Sequence, residues 1–235
     1  MTDIHSHILF GVDDGSRTIE ESLEILRSME KCGYKNIILT PHYIKDSNYN
    51  SSATENFKKL KILRDACFQN NIKINLYLGN EIYIDDDILG LLKNKEIYSL
   101  NGTPYLLVEL PMSGEYNGYE EVFRELISHG CQVILAHPER YTSFQNDYEK
   151  IHELENMGVY FQGNIDSLVG KYGERANTML RRLLKERKIA FLATDIHHPK
   201  HDYSNWIKAK TEALKYITEE EYEILVDKNP SQLIG

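Results

Sequence analysis

The chain has 235 residues, 41% of them hydrophobic, and a formal net charge of −9. That length allows one large domain or two small ones. The acidic balance argues against a nucleic-acid platform, and without an 18-residue apolar run no transmembrane helix is expected. Cys32, Cys67 and Cys131 are odd in number and form no paired spacing, which predicts a reduced, cytoplasmic protein. Asp3, His5 and His7 stand where a signal peptide would be basic and then apolar, so secretion is not expected.

Ile4 to Leu9 reads as a first strand. Thr18-Ile19-Glu20-Glu21 reads as a capping box that opens a helix with Leu23, Leu26 and Met29 on one face, ending at Gly33. A second strand, Asn36 to Thr40, stops at Pro41. A polar lip with Asp46, Ser47, Asn48, Asn50, Ser51 and Ser52 follows, then a helix from about Thr54 to Asn70. Further strands are expected over Ile74–Gly79, Tyr105–Leu110, Gln132–Ala136, Val159–Gln162 and Ile189–Thr194. Helices are expected over Tyr119–Ser128, Tyr148–Met157, Glu174–Arg187 and Trp206–Lys228, and the stretch Ile82–Leu100 reads as a short helix plus a short extra strand. Strand ends recur at about 30-residue spacing with no composition break. This predicts a single α/β domain over residues 1–235, built on the repeat of a (β/α) barrel. A doubly wound sheet is the alternative, but its first turn cradles phosphate with glycines, whereas this one reads Gly11-Val12-Asp13-Asp14-Gly15.

The residues that end these strands carry the chemistry. His5 and His7 are two apart and share a strand face. Asp14 follows them, then His42, Glu81, Glu109, His137, and finally Asp195 with His197, again two apart. Six of the seven strands end in such a residue, at the end where barrel active sites are built. Carboxylates after apolar runs are costly unless paired or metal-bound. A nitrogen and carboxylate set without thiolate suits Mn²⁺, Fe²⁺ or Zn²⁺, and nine donors fit two or three ions better than one. Arg140, three residues beyond His137, is placed to hold phosphate oxygens with its planar fork, the plain alternative being a surface pair with Glu139. His129 and His152 read as solvated, Ser6 faces away from the histidines, and no cysteine opens a Cys-x5-Arg phosphate loop.

Asp-Ile-His-Ser-His at 3–7, Val-Asp-Asp-Gly at 12–15, His42, Gly-Asn-Glu at 79–81, His-Pro-Glu-Arg-Tyr at 137–141, Asp-Ile-His at 195–197 and Asn229-Pro230 together resemble the polymerase and histidinol phosphatase (PHP) family. The resemblance is greatest to its bacterial tyrosine-protein phosphatases, which occur beside tyrosine kinases that control capsular and exopolysaccharide synthesis. It covers essentially the whole chain. It implies a distorted seven-stranded (β/α) TIM-like barrel with up to three ions, usually Mn²⁺. By position, His5, His7, Glu81 and Asp195 would hold one ion; Glu81, Glu109 and His137 a second; Asp14, His42 and His197 the third. Arg140 would bind the phosphoryl group. Similar phosphatases carry a second arginine after the last ligand pair, but here the loop reads His198-Pro199-Lys200-His201-Asp202, which leaves Lys200 or His201 as a substitute.

The function these readings imply is hydrolysis of phosphotyrosine by a metal-activated hydroxide, on a protein such as a bacterial tyrosine autokinase. One alternative keeps the site and changes the substrate to a small phosphomonoester such as histidinol phosphate. The other is a degenerate binding module of the kind attached to polymerases.

Overall fold

In the computed structural model, which describes residues 1–114 and 116–234, nine short strands pair only in parallel. They are β1 (Thr2–Asp3), β2 (Asn36–Leu39), β3 (His42–Tyr43), β4 (Asn75–Leu78), β5 (Glu81–Tyr83), β6 (Tyr105–Glu109), β7 (Gln132–Ala136), β8 (Tyr160–Asn164) and β9 (Ile189–Ala193). One sheet has the order β1-β2-β4, the other β3-β5-β6-β7-β8-β9. The break between them is chemical. Pro41 has no N–H to give to a ladder, and Asn80 spans the gap, donating to the Pro41 carbonyl (3.0 Å) and accepting from the Tyr98 amide (2.9 Å). Thus β2 with β3, and β4 with β5, each form one interrupted arm. Between the last arm and the first runs a thin seam: the Ser6–Ile196 bridge, with the Asp195 amide donating to the His5 carbonyl and the His7 amide to that of Ile196, both at 2.9 Å. The seven strand positions of a distorted barrel are present, joined at that point by few bonds.

Period-two alternation divides the strand residues into two cores. Ile37, Leu39, Leu106, Val108, Val133, Leu135 and Leu192 face the helices, and Ile38, Leu107, Ile134, Ala136, Phe191 and Ala193 face one another in a smaller inner cluster with Ile4 and Leu233. The inner row points to the site. Glu109 follows Leu107 by two residues, and Asp195 follows Ala193 by two. Across β8, Gln162 and Asn164 share the inner face, whereas Gly163 lies under the helix Glu174–Lys185, where an added Cβ would come within 2.6 Å of Leu180.

Several elements differ from the expected ones. The first strand is only Thr2–Asp3, because Ile8 and Leu9 join the outer core and the Ile8 carbonyl accepts from Ser22 Oγ (2.6 Å) instead of from a ladder. Thr18 caps its helix by accepting from the Glu21 amide, but Glu21 turns to the Arg17 amide, so the reciprocal box is not made there. The full boxes are Ser52/Glu55 and Thr218/Glu221. The second of these explains why the helix expected over 206–228 is broken after Ser204–Ala213: Thr218 starts a new one, Glu219–Glu223, which continues as a π-helical stretch over Ile224–Lys228. A short helix at Thr142–Asn146 was not expected. No helix among the described residues is long and apolar enough to cross a membrane.

Candidate metal centre

The structure brings all nine ligand-type residues to one end of the strands. His5 Nε2 and His7 Nε2 lie 3.2 Å apart. Each is 3.2 Å from Glu81 Oε2, and they are 3.4 and 3.3 Å from Asp195 Oδ1. All four side chains are buried. The partners behind the two rings fix their tautomers. His5 Nδ1 faces the carbonyl oxygen of Gln162 at 2.8 Å, and Gln162 spends its amide on the Gly163 carbonyl. His7 Nδ1 faces Asp13 Oδ2, also at 2.8 Å. Both Nδ1 atoms therefore donate, and when unprotonated both Nε2 atoms aim lone pairs at the same point. Burial lowers the His5 pKa, but the Glu81 and Asp195 charges outweigh it and raise it to about 9, and His7 is raised likewise. Two carboxylates at this spacing thus call for positive charge between them, a metal ion or protons on the imidazoles. Donors about 2.1 Å from a tetrahedral ion are about 3.4 Å from each other, so the set fits a dication.

Two further groups adjoin this one. His42, Glu81 and Glu109 form one, and His7, Asp14, His42 and His197 the other. His42 and Glu81 are register partners on β3 and β5, with Nδ1 3.0 Å from Oε2. The other His42 nitrogen faces Asp14 at 3.6 Å, as does His197 Nε2, whose own Nδ1 donates to the Asp195 carbonyl. His137 Nε2 lies 2.9 Å from Glu81 Oε1 and 3.7 Å from Glu109 Oε1. Glu81 is thus shared by His5, His7, His42 and His137. His42 reaches toward two groups, a wider role than the single one expected of it.

Charge is finely opposed here. Burial pushes the Glu81 carboxyl upward, but the His5 and His42 imidazoles and the His137 bond outweigh it and hold the group well below the usual range. Glu109 goes the other way, to about 8, through burial and then the Glu81 charge beside it. His137 falls to about 4, through burial and then the Arg140 charge. Two of the candidate positions also carry backbone strain: His137 has φ 33° and Asp195 φ 51°, left-handed values that β-strand side chains rarely take. His137 directly follows the inner residue Ala136, where strand alternation alone would turn it outward, so its turned backbone brings it to the site, whereas Asp195, two beyond Ala193, keeps the inner side.

Arg140 is at the same rim, but its partner is not Glu139. Arg140 Nη1 donates to Asp195 Oδ2 at 2.8 Å. Glu139 is fully buried and accepts from the Asn164 amide and Ser167 Oγ. Asn164 Nδ2 also donates to Asp195 Oδ2, at 2.9 Å. The two oxygens of Asp195 are therefore divided, Oδ2 for Arg140 and Asn164, Oδ1 for the histidine pair. The loop expected to supply a second cation does not reach this cluster. Lys200 is exposed, and His201 packs against Tyr203 and Trp206 with Nδ1 3.6 Å from Asp166. Among the described residues neither contacts any of the nine.

The sequence model for capsular polysaccharide synthesis proteins CpsB/CapC matches residues 1–235. The chain belongs to the CpsB/CapC family. It is 31% identical, over an alignment of 247 positions, to the tyrosine-protein phosphatase CpsB of Streptococcus pneumoniae, covering 100% of this chain and 98% of that relative. It is 32% identical over 203 residues to CpsB of Streptococcus agalactiae serotype III, with 84% and 83% covered. The solved structures of YwqE from Bacillus subtilis and CpsB from Streptococcus pneumoniae, metal-dependent tyrosine phosphatases, include a chain that superposes with TM-score 0.92 at 28% identity, over 100% of this chain and 94% of that one. A histidinol phosphate phosphatase of Lactococcus lactis shares the fold, with TM-score 0.61 at 16% identity over 92% and 94% of the two chains.

Within this family member, the supporting residues are those a linear reading passes over. The Asp13 side chain is buried and holds His7 Nδ1 and the His42 amide with one oxygen and the Gly15 amide with the other. Burial raises its pKa, but the His7 imidazole and these bonds bring it down to about 2. Gly15 makes the fold-back possible, since a Cβ there would sit 1.9 Å from the His7 carbonyl oxygen. The one available signal was the adjacency of two acids, which does not say which faces inward. Asp13→Asn is expected to weaken metal affinity by roughly 10- to 100-fold, the usual cost of losing the partner behind a ligating histidine. Competition with a calibrated chelator measures it, and unchanged affinity would leave His7 held by packing alone.

Proposed function

We propose that the chain is a metal-dependent protein-tyrosine phosphatase that acts on phosphotyrosine proteins, in particular a bacterial tyrosine autokinase of the capsular polysaccharide system. The observation that carries the reading is the convergence of two Nε2 lone pairs and two buried carboxylate oxygens at 3.2–3.4 Å, with a guanidinium on the outer oxygen of one of them. His5, His7, Glu81 and Asp195 hold the first ion. Glu81, Glu109 and His137, with His42 beside them, hold the second, and Asp14, His42 and His197 the third. Mn²⁺ is the proposed occupant, with Fe²⁺ and Zn²⁺ compatible with the same donors. Such ions, when bound, supply Lewis-acid charge at the phosphoryl group and lower the pKa of water toward neutrality.

The chain's own residues do the rest. Asp13 and Gln162 lock the tautomers of His7 and His5. Asn164 and Arg140 occupy one oxygen of Asp195 and leave the other for the metal side. Arg140 Nη1 is engaged with Asp195, so Nη2 and Nε are available for the equatorial phosphoryl oxygens, where charge is spread in phosphoryl transfer. Turnover on a phosphotyrosine peptide and on histidinol phosphate, each against metal content by mass spectrometry, tests the reading. Peptide turnover that disappears on chelation and returns with Mn²⁺ is expected, and preferential hydrolysis of histidinol phosphate would replace it.

The thiols stand apart from this chemistry. Cys67 is buried and Cys32 and Cys131 are half-buried, and burial pushes all three thiols up, Cys67 to about 11. None is poised as a thiolate nucleophile. The variant with Ala at all three positions is expected to retain turnover. Lost catalysis with an unchanged circular dichroism spectrum would contradict the metal mechanism.

A further inference from the structure

Tyr172 lies in the connection between the turn Ile165–Val169 and the helix Glu174–Lys185. Glycines flank the pair Lys171-Tyr172. Gly170 has φ 80° and Gly173 φ 90°, values open to glycine and strained for other residues. The segment folds back on itself through the Gly170 amide to the Ser167 carbonyl (3.1 Å), the Lys171 amide to the Asp166 carbonyl (3.2 Å) and the Gly173 amide to the Gly170 carbonyl (3.0 Å). Lys171 Nζ then pins the turn to Asp166 at 2.8 Å. This places the Tyr172 ring against the active-site arginine: Arg140 Cζ stands 4.1 Å from the ring centroid. The phenol oxygen lies 3.3 Å from Asn164 Nδ2, whose other contact is Asp195 Oδ2 at 2.9 Å. Asp195 Oδ2 in turn accepts from Arg140 Nη1. Four residues from four different segments thus form a circuit: ring under guanidinium, amide on phenol, amide on carboxylate, guanidinium on carboxylate.

We infer that Tyr172 is a positioning residue that braces the Arg140 guanidinium for a phosphoryl group. A free arginine loses rotamer freedom when it clamps an anion. Here that loss is already met by folding, because the ring fixes the guanidinium plane and Asp195 fixes its rotation about that plane. The brace also answers how a single arginine serves a site whose following loop, Lys200 and His201, contributes no contact to the cluster. The inference rests on the phosphatase reading, since it names a residue that prepares the same phosphate clamp. It predicts an effect that runs chiefly through Arg140, with the phenol bond to Asn164 the smaller share.

The test is a double-variant cycle on the metal-loaded protein with Tyr172→Leu, Tyr172→Phe, Arg140→Ala and Arg140→Ala combined with Tyr172→Leu. Tyr172→Leu is expected to lower kcat/KM on a phosphotyrosine peptide, and to weaken orthophosphate binding measured by calorimetry, by about tenfold, the scale of a partly desolvated cation–π contact plus an unfixed side chain. Tyr172→Phe keeps the ring and is expected to recover to within about threefold, the loss being one modest hydrogen bond to a neutral partner. In the Arg140→Ala background, Tyr172→Leu is expected to add nothing. An equal loss in both backgrounds, or equal losses for Leu and Phe, overturns the brace. Tyr172→Met, of similar length and without a π face, carries the same comparison if the Leu variant does not fold. A wild-type protein without peptide turnover removes the phosphatase reading, and orthophosphate affinity then still decides the brace.

Discussion

Arg140→Ala is expected to lower kcat on a phosphotyrosine peptide by roughly 10²- to 10³-fold, the loss that follows removal of one preorganised donor from a developing anion. The structure explains why this group is preorganised: it is mostly buried, with 21% of its side chain exposed, and is held between Tyr172 and Asp195. Arg140→Lys is expected to recover part of the rate, because an ammonium restores charge without the fork. Metal content is expected to hold in both variants. Asp195 Oδ2 still accepts from Asn164, and Oδ1 still faces His5 and His7. The measurements are kcat on the peptide and metal stoichiometry by mass spectrometry. A near wild-type rate in Arg140→Ala would reduce the residue to a rim cation, and a coupled loss of metal would make it a support of Asp195 instead of a phosphate clamp.

Glu81→Gln is expected to be more severe, taking turnover down to the level of chelated protein. Glu81 Oε2 lies 3.2 Å from both His5 and His7 and 3.0 Å from His42, and its Oε1 lies 2.9 Å from His137. A carboxamide of the same shape keeps one oxygen and replaces the other with N–H donors, which cannot ligate. Two of the three proposed ions therefore lose a ligand through one substitution. The variant is also expected to bind less metal, while Asp14, His42 and His197 retain their geometry. Stoichiometry by mass spectrometry beside turnover separates this from Asp13→Asn, where metal binds more weakly but in full amount at saturation. Full stoichiometry in Glu81→Gln would show that Glu81 bridges no ions and that the sites are held independently.

The sequence by itself determined which residues can meet. An apolar strand alternates its faces, so once Leu107 and Phe191 are inner residues, Glu109 and, beyond Ala193, Asp195 must leave the strand on the inner side. The same rule covered the His5 and His7 pair and made the recurrence of ligand types at strand ends informative. Local signals also sufficed for most helices, and the one at Thr218-Glu219-Glu220-Glu221 was present to be read. Only the tertiary structure decided who stands behind the candidate ligands. Asp13 and Asp14 are adjacent in the chain and alike in chemistry, yet the Asp13 side chain is buried on His7 while the Asp14 side chain is 47% exposed at the mouth. Gln162, Asn164 and Tyr172 carry no ligand signature, and their partners are 157, 31 and 32 residues away. Arg140 chose Asp195 over its neighbour Glu139 because the turn Pro138–Arg140 directs Glu139 inward to the Asn164 amide and Ser167. Such choices depend on distances between segments far apart in the chain. Periodicity sets which face a side chain takes, and packing of the finished barrel sets what that face meets.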